Sequence, residues 1–434
     1  MGAINEHARR FLESRGIVLP QGISLPIRGV DQEFFAVRTP RVSEELYPRV
    51  YFESQPIDLP DGGLTNSYEI IIAHNSSSHL EVRSVPTPQF MHKILKDLRV
   101  HAIINGGFFY LADEHDKGPH DASFNFCVRD GALVSLPVIN RAVIIQTHNG
   151  IEGKMIRAVG TMRIDSKPFL WIGALEYGSR DMNILFNSAC CHIERGYDPN
   201  KRVQPRVLNK ENNRTPNADR RTDIVVRMRD DGVLHVQDIC NGGGTDFFSG
   251  NFILNVPKEN AAGISIGDIV HPETLDDLRL DAVESAITVG PSLEEGIVPD
   301  LDTLSINNDP SLANKPFQDI RTARSIIYRT NDGSIHLRIF DGARDSKTFK
   351  GITPRETYDI IYGEYPNKIE WAFHLDGSQS ARAVFRRAGS FEPYGNLHYA
   401  RWPWKGFEDQ TRYFLDPWRG RKTASVLCVV KNEE

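Results

Sequence analysis

The sequence predicts an α+β protein: a single strand-rich, mixed-sheet domain with few helices. Short apolar runs bounded by Gly, Pro, Asn and Asp recur along the chain, whereas clear helix-start signals are few. The order strand, strand, helix, strand, small-residue turn occurs twice, once in each half of the chain. We therefore expect two pseudo-symmetric β-β-α-β units, plus N- and C-terminal extensions.

The bulk composition is typical of a globular protein. Of 434 residues, 40% are hydrophobic and 25% are charged, and the formal net charge is −6. This balance argues against a nucleic-acid or anionic-membrane partner, and no apolar run approaches the roughly 18 residues that a membrane span needs. The five cysteines lack the spacing of a disulfide framework or a zinc site. With no apolar core near Met1, we expect a cytoplasmic protein; the oligomeric state is not predicted.

Residues 1–65 are predicted to form an N-terminal extension that packs on the core, and residues 66–434 the main domain. In the first predicted unit, SYEIIIAHN and HLEVRSV resemble paired strands across an Asn/Ser turn. Thr87 then suits a helix N-cap and Pro88 the first helical position. The strand VHAII follows and ends this unit.

The second predicted unit begins with a hairpin, since Asn331-Asp332-Gly333 separates two apolar runs. Thr353 and Glu356 form a capping-box pattern at the start of a helix, with Pro354 between them. The strand IEWAFHL follows and leads into Asp376.

Each predicted unit ends in a turn of small residues, Asn105-Gly106-Gly107 in the first and residues 376–380 in the second. Consecutive glycines let backbone N–H groups converge on an anion, and an Asn amide can hold a hydroxyl or phosphate oxygen. The alternative is a tight turn with Phe108 and Phe109 as core anchors. Asp376 equally suits a turn-capping role.

Two further residues carry groups suited to chemistry on a phosphate ester. The guanidinium of Arg321 is a planar fork that matches two phosphate oxygens, although a surface ion pair is the more frequent role of an Arg. Asp341 follows a predicted strand and is either a second carboxylate or the start of a turn.

The acidic and histidine-rich stretch DEHDKGPHD follows the first turn. Its metal-ligating residue types are Asp113, His115, Asp116, His120 and Asp121. No pair of histidines has the i,i+4 spacing of a helical metal site, so a solvated loop is favoured over a divalent metal site. No cofactor is expected.

Taken in order, NGGFF, VGPSL, RTAR, FDGAR, KGITPRE and HLDGSQS resemble the phosphodiester glycosidase family over roughly residues 66–387. The resemblance implies a hydrolase that cleaves the glycosidic bond of a sugar phosphodiester, releasing free sugar and a phosphomonoester. It implies that Asp376, Asp341 and Arg321 are catalytic. The residues that it implies for substrate binding are Asn105, Gly106, Gly107, Thr322, Gly377, Ser378, Gln379 and Ser380.

The last turn departs from the family pattern, which is typically Asp-Gly-Gly-Gly-Ser, because Ser378 and Gln379 replace two glycines. Ala343 also stands where the family often has Arg. A phosphate is a good leaving group, so one carboxylate with cationic clamping is a sufficient set of groups. Two alternatives remain: a non-catalytic sugar-phosphate-binding or scaffolding protein, and a glycoside hydrolase that acts on a non-phosphorylated substrate.

Overall fold

The computed structural model describes residues 39–108, 125–174, 182–190, 214–294, 321–342, 350–377, 380–387, 390–395 and 422–432. Their strands form four sheets. The chain divides into two compact units, the first comprising Met1–Glu81, Gln89–Gly106 and Lys315–Glu434, and the second comprising Val82–Pro88 and Gly107–Asn314. The prediction of one mixed sheet is therefore wrong, and the protein is predominantly antiparallel β.

The first unit contains a six-stranded sheet in the order β1-β2-β3-β20-β19-β21. Its strands are β1 (Val42–Tyr47), β2 (Val50–Asp58), β3 (Leu64–Ile72), β19 (Arg324–Thr330), β20 (Ile335–Phe340) and β21 (Ile369–His374). All of its neighbouring strands are antiparallel. The predicted extension thus contributes β1 and β2 to the same sheet as β3.

A five-stranded sheet has the order β23-β22-β5-β24-β4; four of its strands and the two ends of β4 belong to this unit, whereas Val82–Pro88 of β4 are assigned to the second unit. These are β4 (Ser78–Gln89), β5 (Val100–Asn105), β22 (Ala383–Arg387), β23 (Ser390–Tyr394) and β24 (Thr423–Lys431). Strand β5 lies between β22 and β24, which flank it antiparallel on either side. Aromatic contacts join the two sheets: the ring of Tyr394 lies with its centroid 4.8–5.3 Å from those of Phe52, Tyr68 and Phe385, and the rings of Phe52 and Phe385 are 5.0 Å apart.

The second unit also contains two sheets. An eight-stranded sheet has the order β14-β13-β15-β12-β11-β10-β16-β17, and a five-stranded sheet has the order β7-β6-β18-β8-β9. The strands of the eight-stranded sheet are β10 (Val159–Ile164), β11 (Lys167–Gly173), β12 (Asn183–Phe186), β13 (Asn217–Met228), β14 (Leu234–Gly243), β15 (Phe252–Pro257), β16 (Val270–Leu275) and β17 (Leu278–Arg279). Those of the five-stranded sheet are β6 (Cys127–Arg129), β7 (Ala132–Ser135), β8 (Arg141–Thr147), β9 (Gly150–Ile156) and β18 (Ser285–Thr288).

The core of the second unit is one apolar cluster that draws on both of its sheets. Trp171, Phe126, Phe186 and Phe252 are among its fully buried side chains. Strands β11 and β12 are paired parallel, whereas the other strand pairs for which a register is known are antiparallel. This unit therefore supplies a second, independent hydrophobic core.

Helical segments are short in the described residues. They are α1 (Met91–Ile94), α2 (Pro354–Glu364) and two 3-10 turns at Lys258–Ala261 and Leu280–Ala282. The capping box at Thr353 and Glu356 is confirmed, and so is the hairpin between β19 and β20, whose turn residue Gly333 has a φ of +83°. The turn and capping-box patterns in the sequence therefore predicted the hairpin and the helix of the second predicted unit correctly.

The first predicted unit is wrong in two respects, so the pseudo-symmetry is not present. Strands β3 and β4 belong to different sheets rather than pairing with each other. Thr87 and Pro88 lie in β4, and α1 begins only at Met91 without a side-chain cap. Strand β4 is an edge strand, where a proline without an N–H group leaves no ladder hydrogen bond unmade.

A buried ionic network lies on the six-stranded sheet, with Glu69 and Arg338 only 4% and 1% exposed. The Glu69 carboxylate accepts a hydrogen bond from the hydroxyl of Tyr328, and its Oε1 lies 2.9 Å from Nδ1 of His336. The guanidinium of Arg338 lies 3.7 Å from Glu69 and donates to both carboxylate oxygens of Glu364 on α2. The network therefore ties the helix to the sheet.

Removal of the buried guanidinium is expected to destabilise this unit. Arg338→Met leaves the Glu69 carboxylate buried without its cation, which costs about 3–5 kcal/mol of unfolding free energy. Urea unfolding followed by tryptophan fluorescence measures the change. The control Arg355→Met removes an exposed i,i+4 pair with Asp359 and should cost less than about 0.5 kcal/mol. Equal losses in the two variants would contradict a structural role for the network.

The network also predicts a loss of stability in acid. Desolvation raises the pKa of Glu69, but the charge of Arg338 and the hydrogen bonds from His336 and Tyr328 outweigh it, so the pKa lies below its ordinary value of 4.5. A lowered carboxyl pKa contributes stability above the unfolded-state value, and this contribution is lost as the pH falls through the folded-state value.

The measurement is the urea concentration at the unfolding midpoint, followed for the wild type and for Glu69→Gln as the pH is lowered from neutral to below the ordinary carboxyl pKa. Glu69→Gln should be less stable at neutral pH, and its midpoint should fall less on acidification than that of the wild type. If the midpoints of the two proteins fell equally with pH, protonation of Glu69 would not contribute to the loss of stability in acid.

Candidate active site

The predicted site residues of the first unit meet at one end of the six-stranded sheet. Since neighbouring strands are antiparallel, the start of β19 lies beside the ends of β20 and β21: Arg324 pairs with Phe340, and Ile326 with His374. The residues just outside these strand ends define what we call the strand-end site. They are Arg321, Thr322, Asp341, Asp376 and Gly377, together with Asn105 and Gly106 at the end of β5.

Close backbone packing joins the loops at this end of the sheet. Thr322 forms an isolated antiparallel bridge with Ile352. Gly351 has a φ of +81°, and a Cβ there would lie 2.4 Å from the backbone of Thr322. A Cβ on Gly342 would lie 2.2 Å from Gly351. The loop after β20 is therefore packed against the segment before α2, with no room for side chains at these glycines.

The side-chain amide of Asn105 connects four segments of the first unit. It is 0% exposed. Its Nδ2 donates to the carbonyl oxygens of Asp376 (2.6 Å) and Gly106 (3.3 Å). Its Oδ1 accepts from the Ser325 hydroxyl (2.7 Å) and from the Arg382 N–H (3.1 Å). Both amide atoms of Asn105 are thus hydrogen-bonded to the protein, so this residue positions the turns; its role in substrate binding stays a prediction.

The backbone of the first turn is also used in packing. The N–H groups of Asn105 and Gly106 donate to the carbonyls of Arg382 (3.0 Å) and Ser425 (2.9 Å). A Cβ on Gly106 would lie 2.6 Å from Oγ of Ser425. In the second unit, a Cβ on Gly107 would lie 1.7 Å from the carbonyl oxygen of Thr288. Both glycines therefore serve close backbone approach, which the sequence could not distinguish from an anion-binding nest.

The second turn is held against the first. The N–H of Asp376 donates to the carbonyl of Gly106 (3.0 Å), while its own carbonyl accepts from Asn105. A Cβ on Gly377 would lie 3.1 Å from the carbonyl oxygen of Ala323, and Ser380 is 4% exposed. The Asp376 residue itself is only partly buried. Ser378 and Gln379, predicted to bind substrate, lie outside the described residues.

Asp341 is 2% exposed and belongs to the same strand end. Its Oδ1 accepts a hydrogen bond from the N–H of Gly342 (2.8 Å). Its backbone is fixed by the carbonyl of Asn66 (2.8 Å) and by the hydroxyl of Thr65 (2.6 Å). The carboxylate thus caps the turn after β20, which agrees with the interpretation of Asp341 as the start of a turn.

Arg321 is held by two carboxylates. Its Nε and one terminal nitrogen donate to Glu356, and the other terminal nitrogen donates to Asp61. The hydrogen bond from Arg321, followed by that from the N–H of Gly63, lowers the pKa of Asp61 to about 2. The side chain of Asp61 is 45% exposed, against 17% for Glu356. Glu356 therefore fixes the guanidinium, and Asp61 is the more easily displaced partner.

Two polar residues beneath the site were not predicted. Arg324 is 4% exposed and donates from Nε to the carbonyl of Ile352 (2.8 Å). His374 is 1% exposed, and its burial, then the positive charge of Arg324, hold its pKa well below the usual 6.5. Arg324 is the second arginine of the RTAR motif, so a signal was present in the sequence, whereas His374 lies within an apolar strand and gave none.

The stretch 113–121 lies outside the described residues. Within the part of the chain that the structure describes, no group of three or more His, Cys, Asp or Glu side chains is placed to hold a metal ion. No helix in that part has both the length and the apolar character needed to cross a membrane.

The chain matches no protein-family model and no curated protein sequence. Its similarity to known proteins is one of fold. A hypothetical protein from Synechocystis has a TM-score of 0.53 and 14% identity over 90% of this chain, which spans 64% of that protein. A Burkholderia pseudomallei protein described as exported has a TM-score of 0.51 and 15% identity, with 86% of this chain and 75% of that one covered.

A more distant structural neighbour is the catalytic domain of zebrafish N-acetylglucosamine-1-phosphodiester alpha-N-acetylglucosaminidase, auto-inhibited by its pro-peptide. The match covers 91% of this chain and 88% of the neighbour, with 12% identity and a TM-score of 0.36. At these values the comparisons show a shared fold for the first two proteins and do not show membership of the phosphodiester glycosidase family.

The contacts of Asn105 predict that its amide donor is required at this site. Asn105→Asp removes the N–H group that donates to Asp376 and Gly106, and it places a negative charge beside two carbonyl oxygens. The expected loss of unfolding free energy is about 1–3 kcal/mol. Amide hydrogen exchange at Asp376 should accelerate, because its own bond to Gly106 loses its support. Asn149→Asp, at an exposed position, is the matched control; equal exchange at Asp376 in both variants would contradict the positioning role.

Proposed function

We propose that the protein is a hydrolase that cleaves the glycosidic bond of a sugar phosphodiester and releases free sugar and a phosphomonoester. The observation that carries the proposal is the direct bonding of the two turns, Asn105 to Asp376 and Asp376 to Gly106. It brings together motifs from distant parts of the chain whose order resembles that of a phosphodiester glycosidase. Asp376, a partly buried residue, then lies at the same end of the sheet as Asp341 and Arg321.

Asp376 is the residue that we assign to the anomeric carbon. Its N–H and its carbonyl are both fixed by the end of β5, so the Cα from which the carboxylate extends is held in place. A carboxylate in this position stabilises positive charge that develops at the anomeric carbon, or activates water to attack it. Asp341 is the candidate second carboxylate, and its Oδ1 is held by the N–H of Gly342.

Arg321 is the residue that we assign to the departing phosphate. Glu356 holds the guanidinium by two hydrogen bonds, which leaves its orientation fixed when Asp61 moves away. An exposed ion pair contributes little free energy, so a phosphate can replace the Asp61 carboxylate at small cost. Since phosphate is a good leaving group, this electrostatic contact replaces much of the protonation that an ordinary glycoside requires.

Hydrolysis is tested by measuring free sugar and phosphomonoester from a panel of sugar-1-phosphodiesters. Asp376→Asn should lower the rate by at least about a hundredfold, because the amide lacks the charge and basicity of the carboxylate. Asp359→Asn, on the exposed side of α2, is the matched control and should retain the wild-type rate. Binding of the panel without turnover in the wild type would instead favour a non-catalytic sugar-phosphate-binding protein.

The pairing of Arg321 with two carboxylates favours one specific alternative, a glycoside hydrolase that needs no phosphate. Arg321→Ala distinguishes the two. Under the phosphodiester proposal it lowers hydrolysis of the phosphodiester roughly a hundredfold and leaves the matched methyl glycoside unaffected. Equal effects on both substrates would assign Arg321 to structure and the activity to glycosides without phosphate.

A further inference from the structure

A groove of about 320 Å³ lies in the first unit between the end of β2 and the last turns of α2. The residues that shape it include Gln55, Ile57, Asp58, Ile360, Gly363 and Glu364. None of them belongs to the strand-end site. We propose that this groove is a second binding site, which takes one neutral sugar ring; the choice of a carbohydrate rests in part on the proposed function.

The carboxylate of Glu364 is built into the wall of the groove. It receives two hydrogen bonds from Arg338, one of them at 3.1 Å, and that guanidinium is 1% exposed. Nε of Arg338 is itself fixed by the hydroxyl of Ser67 (2.8 Å). The Glu364 side chain nevertheless keeps 38% of its surface exposed. A buried cation thus holds an accessible acceptor in one orientation, which is the preorganisation that a polar binding site needs.

The other groups around the groove suit a sugar ring. Gln55 supplies an amide, whose Nε2 lies 3.4 Å from Oε1 of Glu364, and Asp58 supplies further acceptor oxygens. Ile57 and Ile360 provide apolar surface for the C–H face of a ring. The two carboxylates that border the groove, Asp58 and Glu364, disfavour an anionic ligand and accept hydrogen bonds from the hydroxyl groups of a neutral sugar.

Gly363 keeps the groove open. It lies within α2 and is not among the residues with positive φ, so its backbone does not require glycine. A Cβ at this position would meet no atom within 4 Å, so packing does not require glycine either. A helical glycine is less stable than alanine, yet no side chain stands here to narrow the groove.

Helix α2 connects the groove to the strand-end site. Helix α2 starts beside Glu356, which holds Arg321, and ends at Glu364 in the groove. The rise between these two residues is about 12 Å along the helix axis. A substrate bound at both places would therefore carry the sugar of the groove beyond the phosphate.

Ligand-detected saturation-transfer NMR with N-acetylglucosamine and with mannose as probes tests the proposal. We expect transfer to at least one of these sugars in the wild-type protein. Gly363→Leu fills the groove and should raise the Kd roughly tenfold or more. The matched control Arg355→Leu adds the same side chain to an exposed position of α2 and should leave the Kd unchanged.

The proposal is overturned if neither sugar shows transfer with the wild type, or if Gly363→Leu and Arg355→Leu bind equally. A second variant, Gln55→Ala, removes one donor without filling the groove and should weaken binding several-fold; it keeps the test valid if Gly363→Leu folds poorly. Hydrolysis plays no part in the measurement. Loss of the proposed catalytic activity would therefore leave this result intact, and loss of groove binding would leave hydrolysis of small phosphodiesters unchanged.

Discussion

The side-chain amide of Asn105 is the interaction on which the strand-end site depends. A buried amide must satisfy both its donor and its acceptor, and here three segments besides the end of β5 supply partners, through Ser325, Arg382 and Asp376. Leaving one partner unpaired in this dry environment is costly, so the four segments are fixed together. Asp376 is therefore placed by the end of β5, and not only by the strand that precedes it in sequence.

Helix α2 connects two charge arrangements of the first unit. At its N-terminus Glu356 completes the capping box and also orients Arg321, a place where the helix dipole favours a carboxylate. At its C-terminus Glu364 carries a charge that the dipole disfavours, and the buried guanidinium of Arg338 compensates for it. The same short element thus fixes an arginine at the strand-end site and a carboxylate in the groove.

Signals within a few residues of each other were enough to predict part of this fold. The turn at Asn331 and the capping box at Thr353 each have a local cause, and both are present. The separation of β3 from β4 and the position of β5 between β22 and β24 depend on partners far away in sequence, which leave no local pattern. Proline and threonine near Thr87 suit a helix start and an edge strand equally, so only the sheet decides between them.

The candidate site shows the same limit for individual residues. A run of two glycines in a sequence indicates only that a Cβ is not tolerated, and it does not say whether a ligand or the protein backbone comes close. Here the backbone does, since Gly106 packs on Ser425, and Gly107, in the other unit, packs on Thr288. The N–H groups of Asn105 and Gly106 donate to carbonyl oxygens, so these two groups are not available to an anion. Arg321 has one largely buried partner, Glu356, and one exposed partner, Asp61, so it can exchange the Asp61 carboxylate for another anion while Glu356 keeps it in place.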